Sequence, residues 1–445
     1  MLRVILTALT ITRAGDGLPV KSPTEVGMSS TRLGAIERVV ERGIKAGGYP
    51  GASVIVGRKG AAVFEKGFGK LSWSENSTPV DAQRTIYDIA SLSKVVGTTT
   101  AIMILYDEKK IGLDDPVVNY IPTFGGGDKD KVTIRQLLTH TSGLPAGRDI
   151  WRIAQTPLEA RALVLRTPLE GRPGAQYIYS DLGADVLGLL IEVVSGEPLD
   201  KFLTRRVFEP LGMNETMYRP ADSLKYRIAP TEVTPPRGYP LRGEVHDENA
   251  YALGGVAGHA GLFSTAADLS VFAQMMLNGG EYNGVQIITK PTVELFTSRS
   301  FGHRALGWDT AEGDYGSGRY LGPTAYGHTG FTGTSMWIDP EREMFVILLT
   351  NRVHAARALR PAKVISDVRA DLSDAAVLSV LDGPKLASGS KAFRADREVG
   401  WNPPPRASRR RHGSSRHHTI ASATSRSRAS AVKKSASKKT SKKSR

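Results

Sequence analysis

The sequence predicts an α/β (α+β) protein in which both ends of the chain build one sheet and a mainly helical lobe is inserted between them. Three observations carry this prediction. Near the N-terminus, GASVIVGRKGAAVFEKGFGKL sets two short β-rich runs on either side of Arg58-Lys59-Gly60, which reads as a hairpin. Near the C-terminus, residues 325–351 return to strand character. They run AYGHTGFTGTSMWIDP, then a turn at Asp339-Pro340-Glu341, then MFVILLTN. Between these, residues 112 to about 277 hold helical patterns punctuated by Pro and Gly, and few of their segments alternate as strands do.

The elements follow in order. Residues 29–46 place Leu33, Ile36, Val40 and Ile44 on one helical face, with Ser29, Ser30 and Thr31 available as caps. The hairpin comes next. A helix opened by Ser91 is expected to run to about Glu108, where Lys109 and Lys110 suit a C-terminus. In the lobe, VTIRQLLTHTSGL and DLGADVLGLLIEVVSGEPLDKFLTRRVFEPLGM are helical, and a last helix spans about 355–372. No internal repeat is present.

Composition narrows the function classes. The chain has 445 residues and a net charge of +15, yet residues 401–445 alone carry 8 Arg and 6 Lys with no acidic group. The first 400 residues hold 45 basic and 44 acidic groups, so the body is nearly neutral and the charge belongs to a tail. That tail is rich in Ser, Ala, Lys and Arg. Disorder is expected over 376–445, with a polyanion as the kind of partner the charge would attract. Cysteine is absent, which removes disulfides, thiolate catalysis and cysteine-based metal sites. Residues 1–22 begin with one Arg before a short apolar run and resemble a short or truncated signal segment, although Arg13 interrupts it and no A-x-A site follows. Export to the cell envelope or the medium, or a cytoplasmic location, depends on that segment. Elsewhere no apolar run approaches the length of a transmembrane span.

The chemistry centres on Ser91-Leu92-Ser93-Lys94. A serine hydroxyl needs a nearby base, and Lys94 shares a helical face with Ser91. The start of a helix favours negative charge and offers unpaired N–H groups. A helix cap beside a surface lysine gives the same pattern, and Ser388/Lys391, Ser430/Lys433 and Ser435/Lys438 also match it. Two further stretches separate these readings. Tyr179-Ser180-Asp181 stands just ahead of an apolar helical pattern, and His328-Thr329-Gly330 stands at the entry to a glycine-rich strand.

Together these three boxes resemble those of the penicillin-recognising serine hydrolases, which comprise serine β-lactamases, DD-peptidases (penicillin-binding proteins) and related esterases. The resemblance spans about residues 23–368 and includes GLDDPVVNYIP and GLFSTAADLSVFAQMML. It implies a β-lactamase/transpeptidase-like domain over 23–375, with an antiparallel sheet flanked by helices. It also implies an acyl-enzyme at Ser91, with Lys94 helping to take the proton and Tyr179 as the other general base or acid. The oxyanion would meet the Ser91 N–H and an N–H of Phe331, Thr332 or Gly333, and the strand would pair with substrate backbone. Neither a cofactor nor a metal is implied. The implied substrates are peptides ending in D-amino acids, as in peptidoglycan stems. An esterase, a weak β-lactamase or a penicillin-sensing module are the alternatives.

Two departures matter. His328 stands where Lys is commonest, so a fixed cation for a substrate carboxylate is not guaranteed. Asp181 replaces Asn, and its charge would hold Lys94 protonated and favour Tyr179 as the base. His246, Asp247, Glu248 and His259 gather in GEVHDENAYALGGVAGHAGLF, but their spacing matches no zinc motif and reads as a Gly-rich loop lining the cleft. His140 and Ser93 read as structural.

Overall fold

A computed structural model describes residues 17–311, 316–354, 362–384 and 392–401. Six strands form the main sheet: β1 (Gly51–Arg58), β2 (Ala61–Gly69), β3 (Asp309–Thr310), β4 (Tyr326–Thr329), β5 (Ser335–Asp339) and β6 (Met344–Thr350). Their order across the sheet is β2-β1-β6-β5-β4-β3, and all the pairings are antiparallel. The two ends of the chain therefore meet at β1 and β6, as the sequence predicts. The β1–β2 hairpin turns at Lys59 and Gly60, both with positive φ.

Both faces of the sheet are covered, which explains why MFVILLT reads as an unbroken apolar run. Alternation sends Val54, Val56, Val346 and Leu348 to one face. There they pack on Ile36 and Val40 of helix α1 (Ala35–Lys45), preceded by a short turn of helix capped by Ser29, and on Val368 and Leu372 of the last helix. Ile55, Phe345, Ile347 and Leu349 point the other way, into a larger core shared with the helical lobe.

In that lobe the helix behind Ser91 begins as a π-helical segment, Lys94–Thr99, and continues as α2 (Thr100–Asp107). Helix α3 (Asp181–Ser195), the short helix α4 (Glu248–Ala252) and α5 (Ala266–Leu277) complete the surroundings of the site. The lobe is not purely helical. Tyr87–Asp88, Met217–Tyr218 and Leu262–Ser264 form a small second sheet, too short to leave a period-two pattern.

The expected borders shift at both ends. Residues 17–22 belong to the body rather than to a leader: Leu18 is buried, and Pro19–Lys21 hydrogen-bond along Ala62. The last helix, α6, spans Ala362–Ser379, so the domain continues past 375. Residues 392–401 then return to α6, where Arg394 pairs with Asp371 and Asp374 and the Trp401 indole donates to Asp367 at 2.8 Å. Partners for those buried carboxylates keep this Arg- and Gly-containing stretch on the domain. The remainder of the expected signal segment, 1–16, and of the basic tail, 385–391 and 402–445, lies outside the described residues, as do the expected first turns of the last helix, 355–361, and the Ser-x-x-Lys matches at 388, 430 and 435. No described helix is long and apolar enough to cross a membrane.

Candidate active site

The site forms where the small sheet hands the chain to the π-helical segment. Strand Tyr87–Asp88 ends at Ile89, and Ala90 adopts φ +48°, a left-handed conformation that costs a non-glycine residue about 1 kcal/mol. Its N–H donates to Asp88 Oδ1 at 2.8 Å, which holds the kink. Asp88 is buried, and its other oxygen accepts the His246 N–H at 2.7 Å. The kink leaves Ser91 partly exposed with Lys94 one turn behind it.

Lys94 is 3 % exposed. Its Nζ donates to Ser91 Oγ at 2.9 Å and to the His259 carbonyl at 3.1 Å, and it lies 2.7 Å from Asp181 Oδ1. It also stands 5.0 Å from the centre of the Tyr179 ring. Burial pulls the Lys94 pKa down, but the Asp181 charge and Tyr179 outweigh it and leave the pKa above the usual lysine value. The pairing with Asp181 thus favours the ammonium form of Lys94.

Tyr179 and Asp181 are placed by the start of α3. Ser180 caps that helix by accepting the Gly183 N–H at 3.2 Å, while its own hydroxyl donates to the Pro145 carbonyl at 2.6 Å. His140 has a structural part here, and it also touches the site. Its Nδ1 accepts the Ser180 N–H at 3.1 Å, and its ring lies 4.6 Å from that of Tyr179. Burial, then the charge of Arg304, hold it neutral.

The third box corrects one expectation. Strand β4 ends at Thr329, and residues 330–334 form a tight turn into β5 rather than more strand. The Gly330 N–H donates to the Thr334 carbonyl at 2.7 Å and the Gly333 N–H to the Gly330 carbonyl at 3.0 Å. Gly333 sits at φ +111°, and its N–H is engaged inside the turn, which leaves Phe331 and Thr332 of the three candidates. The Thr332 and Thr334 hydroxyls donate to the carbonyls of Asp88 and Ile89 at 2.8 and 2.9 Å, so the turn is stapled to the backbone that delivers Ser91. A Cβ on Gly330 would stand 2.6 Å from the Ile89 oxygen, hence the glycine. The Thr332 side chain is thus structural, and only its backbone faces other uses. β3 covers Tyr326 and Gly327, and its pairing stops short of His328 and Thr329.

His328 is buried and neutral. Burial, with Arg304 and Lys94 nearby, outweighs Asp309 and lowers its pKa to about 4. Its Nδ1–H donates to the Thr329 carbonyl at 2.8 Å. No fixed positive charge stands at this position.

On the opposite wall, His259 lies between two carboxylates. Nδ1 is 2.7 Å from Asp185 Oδ1, and Nε2 is 2.9 Å from Asp247 Oδ1. The pair outweighs burial and holds the imidazole well above its usual pKa, as a cation. His246 pairs instead with Glu232 at 2.8 Å. The four residues of this loop therefore do line the cleft, each with partners of its own. Among the described residues no three His, Asp or Glu side chains converge as a metal site. Ser93 is buried, with its hydroxyl accepting the Leu262 N–H at 3.1 Å.

These groups enclose a cavity of about 280 Å³ lined by Ser91, Tyr179, Asp181, His246, Asp247 and Phe331. A larger cavity of about 720 Å³ is lined by Trp151, Arg219 and Tyr251 among others and includes none of the three boxes. A serine hydroxyl bonded to a buried lysine, beside a tyrosine and a glycine turn, is an arrangement suited to acyl transfer.

A family profile described as Beta-lactamase matches residues 36–369. The chain belongs to the β-lactamase family. As a member of this β-lactamase family the protein is a serine hydrolase. It is 34 % identical over 399 residues to an Escherichia coli (strain K12) protein named "Putative D-alanyl-D-alanine carboxypeptidase", across 80 % of this chain and 91 % of that one. Among solved structures it resembles an octameric penicillin-binding protein homologue from Pyrococcus abyssi, with a TM-score of 0.59 and 26 % identity over 72 % of this chain and 73 % of that one. It also shares the fold of EstCE1, a hydrolase with promiscuous acyltransferase activity, with a TM-score of 0.64 and 23 % identity over 78 % and 99 % of the two chains. The β-lactamase/transpeptidase fold expected from the three boxes is therefore the fold of this chain.

Sequence reasoning missed Asp88, Asp185 and Glu232. Isolated carboxylates in apolar helices or loops carry no spacing signal until their histidine partners are placed in space.

Proposed function

We propose that the protein is a DD-carboxypeptidase-like hydrolase that removes D-amino acids from peptidoglycan-type peptides through an acyl-enzyme at Ser91. The observation that carries this is the Lys94 ammonium bonded at once to Ser91 Oγ and paired with Asp181. Ser91 Oγ attacks the scissile carbonyl, and its proton passes to Tyr179 reacting as the phenolate beside the Lys94 cation, because a charged Lys94 has no lone pair to accept it. Lys94 instead steadies the negative charge developing on Oγ. The carbonyl oxygen is received by the N–H of Ser91 and one in the turn after Gly330. Protonated Tyr179 then returns the proton to the leaving amine, and water repeats the sequence to release the acyl group. The name carried by the 34 %-identical relative supports the D-alanyl peptide as substrate.

The neutral His328 favours a second reading, an esterase, since a substrate without a carboxylate does not miss the cation. A weak β-lactamase or a penicillin-sensing module would use the same acylation. A D-alanyl-D-alanine peptide, a nitrophenyl ester and a fluorescent penicillin, each offered to the wild type and to Ser91→Ala, separate these readings. Release of D-alanine that Ser91→Ala abolishes is expected. Turnover of the ester alone supports the esterase, penicillin labelling without turnover the sensor, and indifference to Ser91→Ala rules out the acyl-enzyme. Full acylation by Tyr179→Phe with loss in Lys94→Ala would transfer the base role to Lys94.

We further assign the protein to the cell envelope, where such peptides occur, and the basic tail to a polyanion. Salt-sensitive DNA binding that survives removal of residues 402–445 would contradict the tail assignment.

A further inference from the structure

The turn that carries the third box is gripped from behind by Arg369 of α6. One guanidinium nitrogen, Nη2, donates to the Gly330 carbonyl at 2.6 Å and to the Thr334 carbonyl at 2.8 Å, the two ends of the turn. Among the described residues its buried Nε has no hydrogen-bond partner and no carboxylate pairs with it. A cation so placed is costly, because a buried charge is normally balanced by an opposite one. Burial and the neighbouring Arg352 lower its pKa, but a guanidinium stays charged at neutral pH. Arg352 meets the same turn, its N–H donating to the Thr332 carbonyl at 2.8 Å and its Nε to the Phe331 carbonyl at 3.3 Å.

Peptide geometry says what this grip does. In a trans peptide the N–H points opposite to the C=O of the same unit. The Gly330 carbonyl belongs to the peptide that carries the Phe331 N–H. A donor that pulls this carbonyl toward α6 aims the Phe331 N–H away from α6. The threonine staples to Asp88 and Ile89 fix where the turn sits relative to Ser91. The positively charged guanidinium donating to the carbonyl oxygen also polarises the amide and strengthens its N–H as a donor.

We propose that Arg369 is a positioning residue for the oxyanion site, orienting and polarising the Gly330–Phe331 peptide from outside the catalytic cavity. This rests on the acyl-enzyme reading, with Ser91 as nucleophile and the turn as half of the oxyanion site. The role is one of charge and direction rather than contact with substrate. It acts on the transition state, where the carbonyl oxygen becomes negative, more than on the bound ground state.

An arylboronic acid tests it, because the Ser91 oxygen adds to boron and gives a tetrahedral anion that occupies the oxyanion position. Affinity is measured for the wild type, Ser91→Ala, Arg369→Gln and Arg369→Lys, together with kcat and KM on a nitrophenyl ester and the melting temperature. Removing one oxyanion donor outright costs about 10²–10³ in kcat, so weakening one is expected to cost about tenfold. Arg369→Gln should lose about tenfold in boronate affinity and in kcat with KM little changed, and Arg369→Lys should recover part of both. Boronate binding that ignores Ser91→Ala would overturn the acyl-enzyme reading and this inference with it. Ser91-dependent binding that neither Arg369 variant weakens would overturn the inference alone. If Arg369→Gln does not fold, Arg369→Lys decides, since a shorter ammonium cannot keep both carbonyl bonds.

Discussion

His328 and His259 are both almost wholly buried, one behind Tyr179 and the other lining the cavity, yet they end in opposite charge states. His328 lies near Arg304 and Lys94 with Asp309 at 4.0 Å, and it stays neutral. His259 lies between Asp185 and Asp247, both within 2.9 Å, and it is held as a cation. Burial alone would neutralise each of them, so the neighbours decide. Lys94 and His259 accordingly carry positive charge in the site, while the strand position where this family commonly places a lysine holds a neutral ring.

The strongest way to break this contrast is to remove the inner carboxylate. Asp185→Ala leaves His259 with one partner and should destabilise the fold by about 3–5 kcal/mol, read in a denaturant titration. Little change would mean that His259 is not charged. The second test uses pH. The folded pKa of His328 lies below its unfolded value, so the unfolded chain binds the extra proton between pH 6.5 and about 4. Stability should fall as pH drops through that window, by roughly 3 kcal/mol from this residue, and His140 acts in the same direction. His259 has the opposite sign: its contribution is complete below about pH 6.5 and fades as pH rises through its raised folded pKa. His328→Gln should flatten the acid side of a melting-temperature profile, and a profile unchanged there would place the titration elsewhere.

A third test sharpens the role of Lys94. Asp181→Asn removes the largest influence raising its pKa, so the pH–rate profile for acylation should gain or shift a limb on the alkaline side. An unshifted profile would separate Asp181 from the proton transfer. The smallest effect is expected for His328→Gln at neutral pH. A neutral ring replaced by a neutral amide should leave kcat within about threefold, whereas a loss of two orders of magnitude would make the imidazole a participant.

The parts of this molecule legible in the sequence are those with a period or a tight spacing. Apolar strands at both ends, a Ser-x-x-Lys pair one turn apart and a Tyr-Ser-Asp that caps α3 each leave a local signature. The charge states do not. Lys94 meets Asp181 across 87 positions of chain and His259 meets Asp185 across 74, and neither distance is written in either segment. The turn after Gly330 read as strand because its glycines and threonines fit a strand as well as a turn. What bends it is a set of bonds to Asp88, Ile89 and Arg369, far away in sequence.

The return of residues 392–401 to α6 also determines how the basic tail can be studied by itself. A cut at 376 would shorten α6 and remove Arg394 and Trp401, leaving Asp367, Asp371 and Asp374 without those partners inside the protein. Its loss of activity would then report a damaged domain, not a missing tail. A cut after Trp401 removes all 8 Arg and 6 Lys of the polycation and spares the clasp. Only that boundary lets a change in binding be credited to the tail.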